Sequence, residues 1–403
     1  MQTYDSYKDS GEQWLGRIPS HWEIRRSKFL WKETDRRSQK GTEQLLSVSQ
    51  YDGVREANAE SRSESLVGYK YVHKDEFVIN IMLAWLGGLG ISNFEGVVSP
   101  AYCVYHLKDK QNPRFLHYLY RTPQYLAEFA RHSTGIVPSR WRMYTDDFGD
   151  VLTILPPIKE QNRMVQYLDE QTSQIDEAIA QQQKMIDLLN ERKQMIINNA
   201  VTKGLDPNVP MKDCGIDWIG EIPKHWETRR MRYLCKIKTG DKDTVNRVDD
   251  GVYPFYVRSP KVERINSYTY DGEAVLMAGD GVGAGKVFHY VNGKFGCHQR
   301  VYIFHDITHV YGEYLFFYMK SLFKHTIEQL SAKSTVDSVR LNMIQDFIVA
   351  FPSKEEQSAI LAYLNEQMNK FNIAITNAEQ KVVLLQERKQ IIINNVVTGK
   401  IKV

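Results

Sequence analysis

The chain has 403 residues, 42% hydrophobic and 25% charged, and its 52 Lys and Arg against 49 Asp and Glu leave a formal charge of +3. At roughly 150 residues per domain, this length excludes a single small module, and the composition excludes a disordered or fibrous chain. Near-neutrality leaves the partner open, since only a strongly basic chain would point to nucleic acid or an acidic membrane by itself. Cys103, Cys214, Cys235 and Cys297 form no CxxC pair and have no histidine at zinc-finger spacing, which argues against a disulfide framework or structural zinc and suits a reducing cytoplasm. The chain opens on no basic-then-apolar leader, and no apolar run approaches the ~20 residues of a membrane span. A cytoplasmic protein with no membrane partner is expected.

In chain order, the first recognisable segment is KDSGEQWLGRIPSHWEIRR at residues 8–26, which recurs at 212–230 as KDCGIDWIGEIPKHWETRR, with 12 of 19 positions identical at an offset of 204. Strand-like runs follow at 77–81 and 102–107, with a 3.6-periodic helical stretch over 114–131. After LPPIKEQ at Leu155, the positions Val165, Leu168, Thr172, Ile175, Ile179, Gln182, Ile186, Leu189, Lys193 and Ile196 keep an unbroken 3-4 spacing, the mark of a heptad seam. Gly204 is placed as the helix stop, with Asp206, Pro207 and Pro210 in a short linker. The second half repeats the plan with strands over 274–277, 286–291 and 300–304 and a helix over 311–329. FPSKEEQ at Phe351 then leads into a second seam, Leu361, Leu364, Met368, Phe371, Ile375, Ala378, Val382, Leu385, Lys389 and Ile392. LLNERKQMIINNAVT at 188–202 returns as LLQERKQIIINNVVT at 384–398, with 12 of 15 identical at an offset of 196. A frame is thus duplicated around inserts that have diverged.

Each long helix spans about 40 residues and so about 60 Å, too long for the interior of one compact domain. The two are predicted to pair antiparallel, with Lys193 as a polar register-setting residue and Glu191 solvated. The expected fold is mixed α/β (α+β): two similar α/β domains joined by two long antiparallel coiled-coil helices in a pseudo-twofold internal repeat. The expected divisions are 1–157, the helix 158–204, the linker and second domain 205–353, and the helix 354–403.

The chemistry of a catalyst is missing from the pattern. GDGVGAGK at 279–286 has Asp280 where a phosphate loop needs glycine and Val287 where it needs Ser or Thr, and a strand rather than a helix follows, so a tight turn between strands is expected. The ExK pairs Glu191 with Lys193 and Glu387 with Lys389 lie on the seam helices rather than in a metal site. His21, Trp22 and Glu23, repeated as His225, Trp226 and Glu227, read as anchors of the opening segment rather than as an acid/base site.

With those residues in view, the chain resembles the DNA-specificity subunits of type I restriction-modification enzymes. The resemblance rests on the duplicated WxGxIPxHWE segments, TKGLDP at 202–207, LPPIKEQ, FPSKEEQ and the two ERKQ helices, on their order and duplication over essentially the whole chain. It implies a non-catalytic subunit with two target-recognition domains that each read half of a bipartite site in double-stranded DNA. It also implies helices that set the spacer and dock two methyltransferase subunits, with restriction/translocase subunits in the full complex. No cofactor is expected on this chain; S-adenosylmethionine, ATP and Mg belong to those partners, together with adenine methylation and ATP-dependent cleavage.

The charge distribution has the matching sign: residues 24–150 and 228–346 carry +3 and +4, and the remainder −4. Candidate DNA contacts are Arg36, Arg37, Arg55, Lys70, Arg140 and Arg142 in the first insert and Arg258, Lys261, Lys286, Gln299, Arg300 and Arg340 in the second, because Arg pairs with guanine, Gln with adenine and Lys with phosphate. Tyr69, Tyr71, Trp85 and Trp141 are candidates for contacts to bases or thymine methyls. A rival of another class is a coiled-coil scaffold joining two protein-binding domains that never meets DNA. It does not account for a basic excess confined to the inserts.

Overall fold

The structure, a computed structural model, describes residues 2–51, 53–57, 65–137, 141–331 and 338–403. The chain forms two compact units: residues 1–182 with 380–403, and residues 183–379. These differ from the divisions read in the sequence, because each long helix, Ile158–Lys203 and Lys354–Val397, contributes its two ends to different units. No helix among the described residues is long and apolar enough to cross a membrane.

In the first unit, the hairpin Tyr7–Asp9 with Arg17–Pro19 leads to strand Glu23–Arg26, which pairs antiparallel with Leu152–Leu155 and closes the insert at its two ends. Between them lies a four-stranded antiparallel sheet in the order Trp31–Thr34, Tyr102–Leu107, Phe77–Asn80, Leu89–Ile91. Alternation directs Phe77 and Ile79 to a core shared with Trp31, Tyr105, Phe115, Leu119, Tyr120, Tyr125, Phe129 and Phe148. The helix expected over 114–131 is two helices, Pro113–Tyr120 and Pro123–Arg131. Pro123 has no N–H to continue the ladder and disfavours helical geometry at Thr122, so the chain breaks there and restarts with the proline in its first turn.

The second unit repeats the frame around a different sheet. Hairpin Met211–Asp213 with Glu221–Pro223 precedes strand Glu227–Arg230, paired with Ile348–Phe351. The insert is a six-stranded sheet in the order Lys236–Thr239, Val301–His305, Tyr270–Ala278, Phe288–Cys297, Tyr253–Tyr256, Glu263–Ile265, with one parallel pairing between Tyr253–Tyr256 and Phe288–Cys297. Helix Gly312–Ser331 covers it through Tyr314, Leu315, Tyr318, Leu322 and Phe323. As the glycines suggested, 279–286 is a turn, joining the longest two strands of the sheet.

Within each unit the two helix segments run antiparallel. Lys389 Nζ donates to both carboxylate oxygens of Asp176 at 2.7 Å in the first unit, and Lys193 Nζ donates to Asn372 Oδ1 at 2.7 Å in the second. These pairs are images at the offset of 196, so the same register is written twice. The apolar seam residues Val165, Leu168, Ile175, Ile179, Ile186, Leu189, Ile196, Leu361, Leu364, Phe371, Ile375, Val382, Leu385 and Ile392 are all buried or half-buried, whereas Glu177, Lys184, Glu191 and Arg192 between them are exposed. Burial of one stripe on a helix otherwise solvated is what allows it to exceed the length of a globular helix.

Both helices end in a left-handed glycine, Gly204 at φ +74° and Gly399 at φ +77°. A Cβ at Gly399 would lie 2.5 Å from Pro19 Cδ and 3.0 Å from Trp22, whereas at Gly204 its nearest neighbours are Glu356 Oε1 at 3.1 Å and Trp226 at 3.4 Å. Gly204→Ala is therefore expected to cost about 1–2 kcal/mol, chiefly the left-handed penalty with a small shift of the Glu356 side chain, and Gly399→Ala more, because its clash is with the Pro19 ring. Denaturant titrations of both variants measure this, and equal losses would refute the steric part of the argument.

Candidate nucleic-acid interface

Whatever the inserts present is held by a frame whose contacts repeat nearly atom for atom. At the start of the first long helix, Glu160 accepts from Tyr4 OH and from Trp22 Nε1 at 3.1 Å, with His21 Nε2 2.8 Å from its other oxygen. At the start of the second, Glu356 accepts from Trp226 Nε1 at 3.0 Å, with His225 Nε2 at 2.7 Å. The neighbouring Gln161 donates to the Pro156 carbonyl at 2.8 Å and accepts from Asn112 N at 2.9 Å; Gln357 does the same with Pro352 and Tyr311 at 2.9 Å each. Asn112 and Tyr311 both immediately precede an insert helix, so each Glu–Gln pair ties the opening segment and the insert to a long helix. Lys8 and Lys212 cap the carbonyls of Trp22 and Trp226 at 2.5 and 2.6 Å, and Arg26 with Asp150 and Arg230 with Asp346 close the insert bases at 2.9 and 3.1 Å. The repeated His-Trp is thus an anchor, with Trp22 and Trp226 almost wholly buried. Sequence reading took KEQ and EEQ only as helix starts and missed this role; their duplication was the available signal.

The second insert brings most of its candidate residues to one surface. Asp280, the first residue after Gly279 in the turn, is held from both sides: Arg258 Nη1 donates to Oδ1 at 3.1 Å, and Arg300 Nη1 lies 3.6 Å from Oδ2. Gly279 N donates to the Arg300 carbonyl at 2.8 Å, and Val339 N donates to the Gly279 carbonyl at 2.7 Å, which places exposed Arg340 beside the same turn. Lys286 ends the turn and is exposed. Gln299 Nε2 donates to Asp243 Oδ2 at 2.9 Å, with a hydrogen bond from Thr244 foremost in holding the Asp243 carboxyl below its ordinary range. Burial, and then the charge of Arg258, push the His298 imidazole below its ordinary pKa, and its Nδ1 accepts from Arg300 N at 3.0 Å. Lys261 sits apart, 3.5 Å from Glu263, which also faces Arg247. Asp280 was read only as the residue that spoils a phosphate loop.

In the first insert the candidates do not converge. Arg36 pairs with Glu76, Arg37 with Asp35 at 2.8 Å, and Arg55 Nε donates to Ser47 Oγ at 3.3 Å. Arg142 donates to the Trp141 carbonyl at 3.0 Å, and Arg140 lies outside the described residues. Lys70 requires a correction: it is 7% exposed and its ammonium is engaged by Glu33 at 3.3 Å, so it supports the sheet from within and presents no charge to a ligand. Tyr71 packs on His73 at 4.8 Å, and Trp85 meets Trp141 edge-on at 5.4 Å on half-exposed ground.

Residues 223–385 match the family described as "Type I restriction modification DNA specificity domain". Among characterised proteins, the chain is 30% identical over 182 residues to the Type I restriction enzyme EcoDI specificity subunit of Escherichia coli, a stretch covering 45% of this chain and 40% of that subunit. It is 23% identical over 360 residues to the MjaVIII specificity subunit of Methanocaldococcus jannaschii, covering 81% of each. The chain thus spans less than half of the first relative and about four-fifths of the second in these matches. Among solved structures, a chain from work on complex assembly and conformational transition of the type I R-M system superposes with a TM-score of 0.70 at 15% identity, over 95% of this chain and 99% of that one, a likeness of fold.

Proposed function

We propose that the chain is a specificity subunit of a type I restriction-modification system, and that each of its units reads one half of a bipartite site in double-stranded DNA. Methyl transfer to adenine, with S-adenosylmethionine, and ATP- and Mg-dependent cleavage reside in partner methyltransferase and restriction/translocase subunits, in the cytoplasm. The observation that carries this reading is the frame repeated contact for contact around two inserts of different sheet and different sequence, with the basic excess in the inserts. A reader of two unrelated short sequences needs a constant scaffold and variable contact surfaces.

A second feature supports two methyltransferase subunits on the frame. Leu188 and Met195 on the first long helix are exposed, as are Leu384 and Ile391 at the same places on the second. A spacing of seven puts each pair on one helix face beside the ERK triplet, an apolar patch with charged flanks presented twice. The protein-binding scaffold remains the rival, and DNA modification separates the two. Sequencing the methylated positions in a host that gains this chain together with its modification subunits is expected to reveal a new bipartite motif. If modification appears at no sequence that depends on this chain, the proposal is wrong.

A further inference from the structure

The two inserts differ in sheet and sequence, yet one backbone feature recurs in both. In the first unit, the residue after strand Phe77–Asn80, Ile81, accepts from Met143 N at 3.0 Å. In the second, the residue after strand Tyr270–Ala278, Gly279, accepts from Val339 N at 2.7 Å. Met143 and Val339 are related by the offset of 196, and eight residues further on Val151 and Phe347 accept from Ser27 and Met231, both at 2.8 Å. Each insert thus presents the loop after its Phe77 or Tyr270 strand next to the segment that returns to the frame. The backbone place is shared, and its side chains are opposite in character. Loop 81–88 contains no charged residue and exposes Met82, Leu83 and Leu86, whereas the loop from 279 onward carries Asp280 clasped by Arg258 and Arg300. A place fixed in the scaffold whose chemistry changes between two readers is where sequence discrimination belongs.

We propose that Arg258 and Arg300, aimed by the Asp280 carboxylate between them, read guanine in the major groove of the second half-site, with Asp280 as their positioning residue. Arg258 Nη1 is hydrogen-bonded to Asp280 and Arg300 Nη1 lies within ion-pair range of it, so the carboxylate draws both guanidinium groups to one place while their other N–H groups remain to form a planar fork, the geometry that matches O6 and N7 of guanine. A carboxylate at the centre of the pair repels a phosphate but not the neutral edge of a base, so the triad suits base reading better than backbone anchoring. Exposure agrees: Arg300 is 63% and Arg258 46% exposed in their side chains, while Asp280 is 19% exposed and recessed behind them.

This inference rests on the DNA-reading role proposed above. Its test uses the complete methyltransferase complex containing this chain, comparing methylation of a library randomised over both half-sites, with salt titrations and thermal melts. Arg258→Ala and Arg300→Ala are each expected to lower the preference for guanine at one position of the second half-site by roughly 5- to 150-fold, the worth of one bidentate pair. The first half-site and the salt slope stay as in the wild type. Asp280→Asn relaxes the same positions, partially and without a fall in melting temperature, and adds little on top of Arg300→Ala; Asp280→Glu restores part of the preference, which loss of a merely structural contact would not produce. Equal weakening on every sequence with a salt slope reduced by about one would mean phosphate contacts and overturn the proposal. Unchanged preferences, or a change in the first half-site, overturn it equally. A wild-type complex that methylates no bipartite motif would instead sink the underlying reading.

Discussion

Glu160→Ala is expected to be the most damaging single substitution in the frame, lowering stability by about 3–5 kcal/mol. The Glu160 side chain is 8% exposed and receives Tyr4 OH and Trp22 Nε1, with His21 Nε2 at 2.8 Å; alanine would leave the Tyr4 and Trp22 donors facing a buried gap, while half-exposed His21 can turn to water. An unsatisfied buried donor costs about 1–3 kcal/mol, and two such donors, Tyr4 OH and Trp22 Nε1, lose a shared carboxylate here. Glu356→Ala should cost less, about 1–2 kcal/mol, because its side chain is 31% exposed and water can replace what is lost. Asn208 also stands at the position that matches Tyr4 under the offset of 204, so the third donor is absent there. Two to four degrees per kcal/mol for units of this size makes the difference readable by calorimetry. A fall for Glu356→Ala as large as for Glu160→Ala would show that the third donor and the deeper burial contribute nothing.

The second large effect is on specificity. Replacing residues 27–150 by the corresponding insert of a relative is expected to exchange the first half-site entirely, with discrimination against the old sequence on the order of 10³-fold or more, and to leave the second half-site untouched. The cut points follow from the structure. Strand Glu23–Arg26 and its partner Leu152–Leu155 belong to the frame, and the Arg26–Asp150 ion pair at 2.9 Å closes the insert just inside them. The graft must also keep a backbone N–H able to reach Gln161 Oε1, as Asn112 N does at 2.9 Å, because this contact orients the insert helix against the frame. Methylation mapping of the chimaera with its modification subunits reads out both half-sites together. A chimaera that alters both, or that alters only the spacing, would contradict independent reading by the two units.

Several elements were legible because their signals are local. Heptad spacing named residues that are buried or half-buried along both long helices, and Gly204 marked a helix end because only a residue without Cβ readily adopts φ +74°. The strand over 102–107 was found with its observed bounds, since two tyrosines and a valine within six residues favour an extended chain. The single helix read over 114–131 failed because apolar periodicity outweighed Pro123, although the proline removes a backbone donor whatever the pattern around it.

The candidate site divides along the same line. Basic residues near glycine-rich turns could be named, yet nothing local distinguished Arg258 and Arg300, 42 positions apart and facing one carboxylate, from Lys70, buried on Glu33. The near-neutral charge of the whole chain concealed two basic inserts on an acidic frame, and the sequence alone sufficed to separate them. By itself it also determined the duplication and the heptad spacing, because repeats and periodicity are properties of residue order. Only the tertiary structure decided that Glu160 and Gln161 tie the opening segment and the insert to a helix, and that Asp280 gathers two arginines. Such contacts join positions far apart in the chain, where the partner is chosen by the path of the backbone and leaves no spacing to read.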